Sequence, residues 1–210
     1  MDITSLYTLL RKHNIDTNLY SSNKSKSVEQ LHNEIMLGES VLTIEEDQLI
    51  RQIDVLCIMI KKPDSNLVLR EKWQQHAGKD PRSRYCLLAE KMLPGEDTNI
   101  KKVVVRALDE ELESLGIVLD FNIFSDTLDK ISNESYSQSY PGLKTRYNTF
   151  IIQVTINNLP ETDFITTEYI KGSKTDIRLT TAWEWVTLES KNFDMLSVKE
   201  YINKYSDNSE

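Results

Sequence analysis

A glutamate lies on the apolar side of the helix that the sequence predicts between residues 100 and 115. Apolar residues recur there at helical spacing, with successive residues about 100° apart around the axis. They are Ile100, Val103, Val104, Ala107, Leu108, Leu112 and Leu115. Glu111 falls near the middle of the same arc, although burial of an unpaired carboxylate is costly. Two interpretations are open: Glu111 faces a cleft and holds a cation, or the helix packs shallowly and Glu111 reaches solvent or an arginine.

The residues around Glu111 carry a family resemblance. Residues 94–96 read Pro-Gly-Glu, and residues 106–111 read Arg-Ala-Leu-Asp-Glu-Glu. This arrangement resembles the Nudix family, in which a glycine, five residues, a glutamate, seven residues and Arg-Glu-apolar-x-Glu-Glu form a loop and a helix. A predicted last strand over residues 183–188, with two tryptophans and a predicted helix after it, also resembles the usual Nudix ending.

The resemblance implies a reaction and a role for each matched residue. It implies hydrolysis of a nucleoside diphosphate linked to another group, with Mg or Mn held by Glu110, Glu111 and, in the preceding loop, Glu96. The cation would polarise a phosphoryl oxygen and activate a water molecule. Arg106 would orient a glutamate through a charged hydrogen bond. Glu110, Glu111 and Arg106 are therefore the predicted catalytic residues.

The sequence departs from the family pattern at several positions. Nine residues, not seven, separate Glu96 from Arg106, and Glu90 stands where the family has its first glycine. The glutamate expected after the arginine is Ala107. Positions 107 and 111 lie one helical turn apart on one face, where two carboxylates can clamp one cation. Because hard cations need several oxygen ligands, Ala107 removes half of that clamp.

Charged residues outside the helix supply further candidates. Arg82, Arg84 and Lys91 precede the helix and are predicted to contact substrate phosphates, with a surface-loop role as the alternative. Glu168 and Glu184 are available as a general base. The alternative for both is an ordinary solvated or strand carboxylate.

Two other functions stay open beside the hydrolase. The first is a catalytically inactive Nudix-fold module that binds a nucleotide-type small molecule or a protein partner, the latter through the N-terminal helices. The second is a structural subunit unrelated to the family, because Glu-Glu pairs after an arginine are common on solvent-facing helices.

The elements that would position this site begin with an N-terminal helical extension. Residues 4–13 predict a short amphipathic helix, and residues 18–26 predict a loop. Ser27 to Gln30 fits a capping box that opens a second helix, and Gly38 is suited to end it. These helices either pack on the main domain or form a docking surface for a partner.

Strand patterns dominate the chain from residue 48 onwards. The predicted strands span residues 48–61, 67–73, 85–88, 116–124, 146–156, 164–169, 177–181 and 183–188. Residues 127–139 predict either a helix or an irregular segment, and residues 193–205 predict a closing helix. The three tryptophans lie on predicted strands, where large aromatic residues usually belong to the core.

This order of elements predicts a mixed α/β or an α+β sandwich, and with the family resemblance we predict the α/β class. Strands outnumber the intervening helices, which excludes a doubly wound parallel sheet, and the family resemblance implies an α/β/α sandwich with a mixed sheet. The predicted domains are an N-terminal helical extension over residues 1–45, a Nudix-like domain over residues 46–205 and a disordered tail over residues 206–210.

Composition excludes several classes of protein. The net charge of −8 argues against coating of nucleic acid, since phosphate binding favours a basic surface. No apolar run reaches the length of a membrane span, and the N-terminus does not resemble a secretory signal. Cys57 and Cys86 are predicted to be buried free thiols. These features predict a soluble protein of the cytoplasm or another reducing compartment.

Overall fold

The computed structural model of the chain describes residues 1–22, 25–93, 97, 99–170, 172–173 and 175–187. Its helices are α1 (Ile3–Lys12), α2 (Val28–Met36) and α3 (Ile100–Leu112), with 3-10 turns at Thr17–Leu19 and Glu113–Leu115. Its strands are β1 (Val41–Glu45), β2 (Gln48–Lys61), β3 (Leu67–His76), β4 (Arg82–Cys86), β5 (Leu88–Lys91), β6 (Phe121–Tyr136), β7 (Lys144–Ile156), β8 (Phe164–Tyr169) and β9 (Ile177–Thr187).

The strands form one sheet, in the order β6-β7-β2-β3-β9-β8. Outside this path, β1 and β5 pair with β2, and β4 pairs with β3. The predicted α/β class with a mixed sheet and N-terminal helices is confirmed. None of the described helices is long and apolar enough to cross a membrane.

The chain divides into two compact units. The first unit comprises residues 1–55, 91–98 and 130–150, and the second comprises residues 56–90, 99–129 and 151–210. The predicted domain limits at residues 45 and 205 stay predictions.

The N-terminal helices pack into an apolar cluster within the first unit. The cluster consists of Leu6, Leu10, Ile15, Tyr20, Val28, Leu31, Leu49, Tyr140 and Leu143. The rings of Tyr20 and Tyr140 lie 5.7 Å apart. Gly142 has a φ of +83°, and a Cβ there would lie 3.8 Å from Ile15. Burial of these side chains, rather than helix propensity, therefore holds the short helices in place.

A buried ion pair lies beside this apolar cluster. Glu34 on α2 accepts a hydrogen bond from Arg51 on β2, and both side chains are more than nine-tenths buried. Lys26 Nζ lies 2.7 Å from the same carboxylate. The Arg51 guanidinium stacks 4.8 Å from the centre of the Tyr140 ring. Burial alone would raise the pKa of Glu34, but the hydrogen bond from Lys26 and the charge of Arg51 hold it below its usual range.

The capping box predicted at Ser27 is present. The Ser27 hydroxyl accepts a hydrogen bond from the Gln30 N–H, and the Gln30 side chain accepts one from the Ser27 N–H. We expect Ser27→Ala to lower the free energy of unfolding by about 1 kcal/mol, because one N-terminal amide of α2 loses its partner. Chemical denaturation measures the change. Ser27→Gly serves as the control, with an expected loss of only a few tenths of a kcal/mol; equal losses would contradict the capping role.

In the second unit, α3 buries the apolar face that its sequence predicts. Val103, Val104, Ala107 and Leu108 are fully buried, and Leu112 is 1% exposed. Trp183 on β9 is likewise 1% exposed, and its indole N–H donates to Thr166 Oγ1 at 2.8 Å. The core role predicted for this tryptophan is confirmed.

Several sequence predictions about the elements were wrong. The strand predicted over residues 116–124 begins only at Phe121, and the one predicted over residues 85–88 is divided between β4 and β5. Residues 127–136, predicted as a helix or an irregular segment, continue the extended strand β6. The two strands predicted at residues 177–181 and 183–188 are one strand, Ile177–Thr187. Residues 41–45 form a strand that the sequence did not indicate. The physical reason at β6 is exposure, because a strand that buries little shows no clear apolar alternation. The helix predicted over residues 193–205 and the tail lie outside the described residues.

Candidate functional site

Glu111 lies near the end of α3 in the second unit, where its carboxyl group is only partly exposed. Its Oε2 atom is buried and has no hydrogen-bond partner among the described residues. Burial raises the pKa of Glu111 to about 8, and the charges of Glu168, Glu71 and Glu90 add to the rise. Arg84 opposes this change. The carboxyl group is therefore protonated at neutral pH and surrounded by three other acidic residues.

Glu71 of β3 is a second acidic residue of the site, and the register of the sheet determines which residues lie opposite it. Glu71 lies opposite Cys86 of β4 and Trp183 of β9. Only 3% of its surface is exposed. Arg84 donates from Nε to Glu71 Oε2 at 2.8 Å. Burial raises the pKa of Glu71, and the Arg84 charge counteracts that rise. The predicted substrate residue Arg84 is thus engaged by a buried carboxylate.

Glu168 reaches the site from β8, where it pairs with Arg178. The preceding residue fixes β8 to the turn that follows α3. The Thr167 N–H donates to Ser114 Oγ at 2.9 Å. This hydrogen bond sets the position of Glu168 relative to Glu111.

Arg106 donates a hydrogen bond to a glutamate of a strand, Glu90 of β5. Its Nε donates to Glu90 Oε1 at 3.0 Å, and both side chains are partly exposed. Glu90 is also the residue that stands in place of the family's first glycine. Its part in the site could not be inferred from spacing, because the contact depends on how β5 lies beside α3.

Glu110 and Glu111 point to different surroundings. Glu110 is exposed and lines an open groove of about 540 Å³. The groove is lined by Lys101, Lys102, Val105, Arg106, Asp109 and Glu110. Two consecutive residues of a helix are about 100° apart around its axis, so the structure separates these two predicted metal ligands.

The other predicted residues lie in separate surroundings. Arg82 donates to Gln74 Oε1 at 3.3 Å, within a row in which the Gln74 amide also donates to Thr181 at 3.3 Å. Lys91 belongs to the first unit and lies 2.6 Å from Glu39. Glu184 accepts a hydrogen bond from Arg70 at 2.7 Å.

The donor set of the site is carboxylate oxygen, which suits a hard divalent cation. Within the described residues, however, no three His, Cys, Asp or Glu side chains are grouped closely enough to hold a metal ion by themselves. Glu96, the predicted third ligand, lies outside those residues. Any cation at Glu111 would therefore need further oxygen ligands from substrate or water.

Cys57 and Cys86 are free thiols, as the sequence predicted, although both residues are partly exposed where full burial was predicted. Burial raises the pKa of each to about 12, and the charge of Glu71 contributes in both cases. They are therefore neutral at physiological pH. A nucleophilic or metal-binding role needs the thiolate, so these residues do not supply one.

Comparison with known proteins gives no family assignment. No family model and no curated protein matches the chain. One similar solved structure comes from a study of MutT of the fish pathogen Aliivibrio salmonicida and of Vibrio cholerae. It is 12% identical, with a TM-score of 0.32, over 73% of this chain and 99% of that one. A likeness at this level decides neither the family nor the chemistry.

Proposed function

We propose that the chain contains a Nudix-like domain over residues 46–205, preceded by a helical extension over residues 1–45. Its activity is Mg- or Mn-dependent hydrolysis of a nucleoside diphosphate linked to another group. This proposal rests mainly on the half-buried Glu111 carboxyl group, whose Oε2 atom is buried without a hydrogen-bond partner and which has three acidic neighbours. A divalent cation would satisfy that oxygen and offset the repulsion.

Glu111 and Glu168 are the residues that would hold the cation. Glu168 makes the largest charge contribution to the raised pKa of Glu111. All three acidic neighbours pair with an arginine, Glu168 with Arg178, Glu71 with Arg84 and Glu90 with Arg106. We choose Glu168 as the second ligand because its charge acts most strongly on Glu111, and we assign Glu71 and Glu90 to the charge and shape of the site. When bound, the cation supplies Lewis-acid activation of a phosphoryl oxygen and of water.

Proton release on metal binding is the sharpest test of this proposal. Because Glu111 has a pKa near 8, we expect Mg or Mn to displace close to one proton per site at pH 7. Calorimetric titrations in buffers of different ionisation enthalpy measure that number. Proton release should fall as the pH is raised through 8, since Glu111 is then already ionised.

Two variants control this titration. Glu111→Gln should abolish both the binding heat and the proton release. Glu113→Gln, an exposed glutamate of the following turn, should leave both unchanged. Metal binding without proton release, or binding retained in Glu111→Gln, would overturn the site. Turnover of a substrate panel with millimolar metal, lost in Glu111→Gln, then tests the hydrolase itself.

The second candidate is an inactive module that binds a nucleotide or a protein partner. Two observations favour it: Ala107 is fully buried, so α3 presents no second carboxylate at that turn, and Glu110 faces the open groove. This function predicts nucleotide binding without metal-dependent turnover. A protein partner would bind through the N-terminal helices, and the free thiols suit the reducing compartment that the sequence predicts.

A further inference from the structure

Strand β6 lies at one end of the strand order. Among the strands that the structure describes, it hydrogen-bonds only to β7. It is 16 residues long, and most of its residues are partly or fully exposed. A long edge strand of this kind presents a row of backbone N–H and C=O groups to which another strand can add.

Contacts between side chains of β6 and β7 show which backbone edge of β6 is already paired. Ser132 donates to Asn148 at 2.9 Å, Arg146 donates to Glu134 at 2.7 Å, and the Lys130 ammonium lies 5.1 Å from the centre of the Phe150 ring. All three pairs fit one antiparallel register. The opposite backbone edge of β6 faces away from β7.

Exposure alternates regularly along the middle of this strand. From residue 126 to residue 132 the even-numbered residues are exposed and the odd-numbered ones are partly buried. Asp126, Leu128 and Lys130 therefore share one face. Leu128 lies between the two charges and is 42% exposed.

We propose that β6 pairs antiparallel with β6 of a second copy of this chain. The two copies are then related by a two-fold axis perpendicular to the sheets at the shared edge. Equivalent faces of the two sheets lie on the same side of the combined sheet. One residue of β6 must then lie opposite its own copy. The choice of that residue decides which charges meet.

Charge complementarity selects Leu128 as the residue on the axis. Leu128 then contacts its own copy, and Asp126 of each chain lies opposite Lys130 of the other. This pairing adds to the contact between Lys130 and Phe150 within each chain. An axis at Asp126, Asp129 or Lys130 would place like charges directly opposite each other, which is destabilising. An axis at Thr127 would bring no opposite charges together. An axis at Ser132 would set Lys130 opposite Glu134, but the Glu134 carboxylate already pairs with Lys144 and Arg146.

Exchange of the two charges tests both the surface and its register. We expect the native full-length chain to reach a mass of twice 24.4 kDa in sedimentation equilibrium over a concentration series. Asp126→Lys and Lys130→Asp should each weaken the dimer roughly tenfold, because each puts two like-charged pairs at the interface. The double variant Asp126→Lys/Lys130→Asp should restore native affinity.

Asp80→Lys provides the matched control, because Asp80 is exposed and lies in a loop. It changes the net charge by the same amount and should leave the dimer intact. Each variant's native fold is checked by circular dichroism. A chain that stays monomeric at every concentration would overturn the proposal, as would a dimer that Asp126→Lys leaves unchanged. Failure of the double variant to restore pairing would also overturn it.

Discussion

Replacement of Arg51 by methionine is expected to lower the free energy of unfolding by about 3 kcal/mol or more. The substitution keeps the bulk of the side chain but leaves Glu34 nearly buried without its main partner. Lys26 is more exposed and compensates only in part. The loss of the guanidinium also removes the stacking on Tyr140. Urea unfolding followed by circular dichroism measures the change in midpoint and slope.

A double variant distinguishes the loss of the whole ion pair from the cost of leaving Glu34 buried without a partner. Glu34→Leu/Arg51→Met should recover most of the lost stability, because an apolar pair of similar volume often replaces a buried ion pair without loss. Arg146→Met is the matched control in the same unit. Its ion pairs with Glu45 and Glu134 are more open to solvent, so its effect should be much smaller. Equal stability of Arg51→Met and the native chain would contradict a structural role for the pair.

Glu111→Gln is expected to stabilise the metal-free protein, and increasingly so as the pH rises. At a pH well below 4.5, the usual value for a glutamate, the carboxyl group is protonated in both folded and unfolded states and contributes no difference. Between pH 4.5 and 8 the unfolded chain releases the proton and the folded chain keeps it, so the native stability falls. Above pH 8 both states are ionised and the cost levels off. Glutamine avoids this cost, which is on the order of 3 kcal/mol at pH 8.

Thermal unfolding at a series of pH values measures this difference. The midpoints of the native chain and Glu111→Gln should coincide at pH 4 and diverge up to pH 8. Glu113→Gln, whose side chain is exposed, should follow the native chain throughout. Addition of Mg or Mn should narrow the gap by stabilising only the native chain. A constant difference at every pH would show that packing, rather than ionisation, is the cause.

The spacing of residues along the sequence was sufficient to predict helix α3, but not to predict which residues surround Glu111. A single apolar arc identifies α3, the buried Ala107 and the misplaced carboxylate, because helical periodicity is local. Glu71 and Glu168 come from strands far away in sequence, and they meet α3 through strand order and a register shift in β3. Each resembles an ordinary strand carboxylate in the sequence. Which of Glu110 and Glu111 turns inward depends on the rotation of α3 about its axis.

The same limit applies to the N-terminal helices. The Ser27 capping box could be predicted, because its donors and acceptors lie within four residues of each other. The partners Tyr140 and Leu143 are more than one hundred residues away from these helices in the sequence. The sequence of that segment, Tyr-Pro-Gly-Leu at residues 140–143, is typical of a turn and does not indicate these contacts. Its role as the cap of an apolar cluster follows only from tertiary packing.

At the β8 end of the strand order, the Ser114 hydroxyl occupies one backbone N–H of the terminal strand. A strand that added there would need the amide of Thr167, which already donates to the Ser114 hydroxyl. Pairing at β6 about a two-fold axis would use up the other end of the strand order. Neither terminal strand of the order would then offer an uninterrupted edge to a third copy. Ser114, next to the candidate site, would thus also hinder the addition of further strands at β8 and with it the growth of fibres.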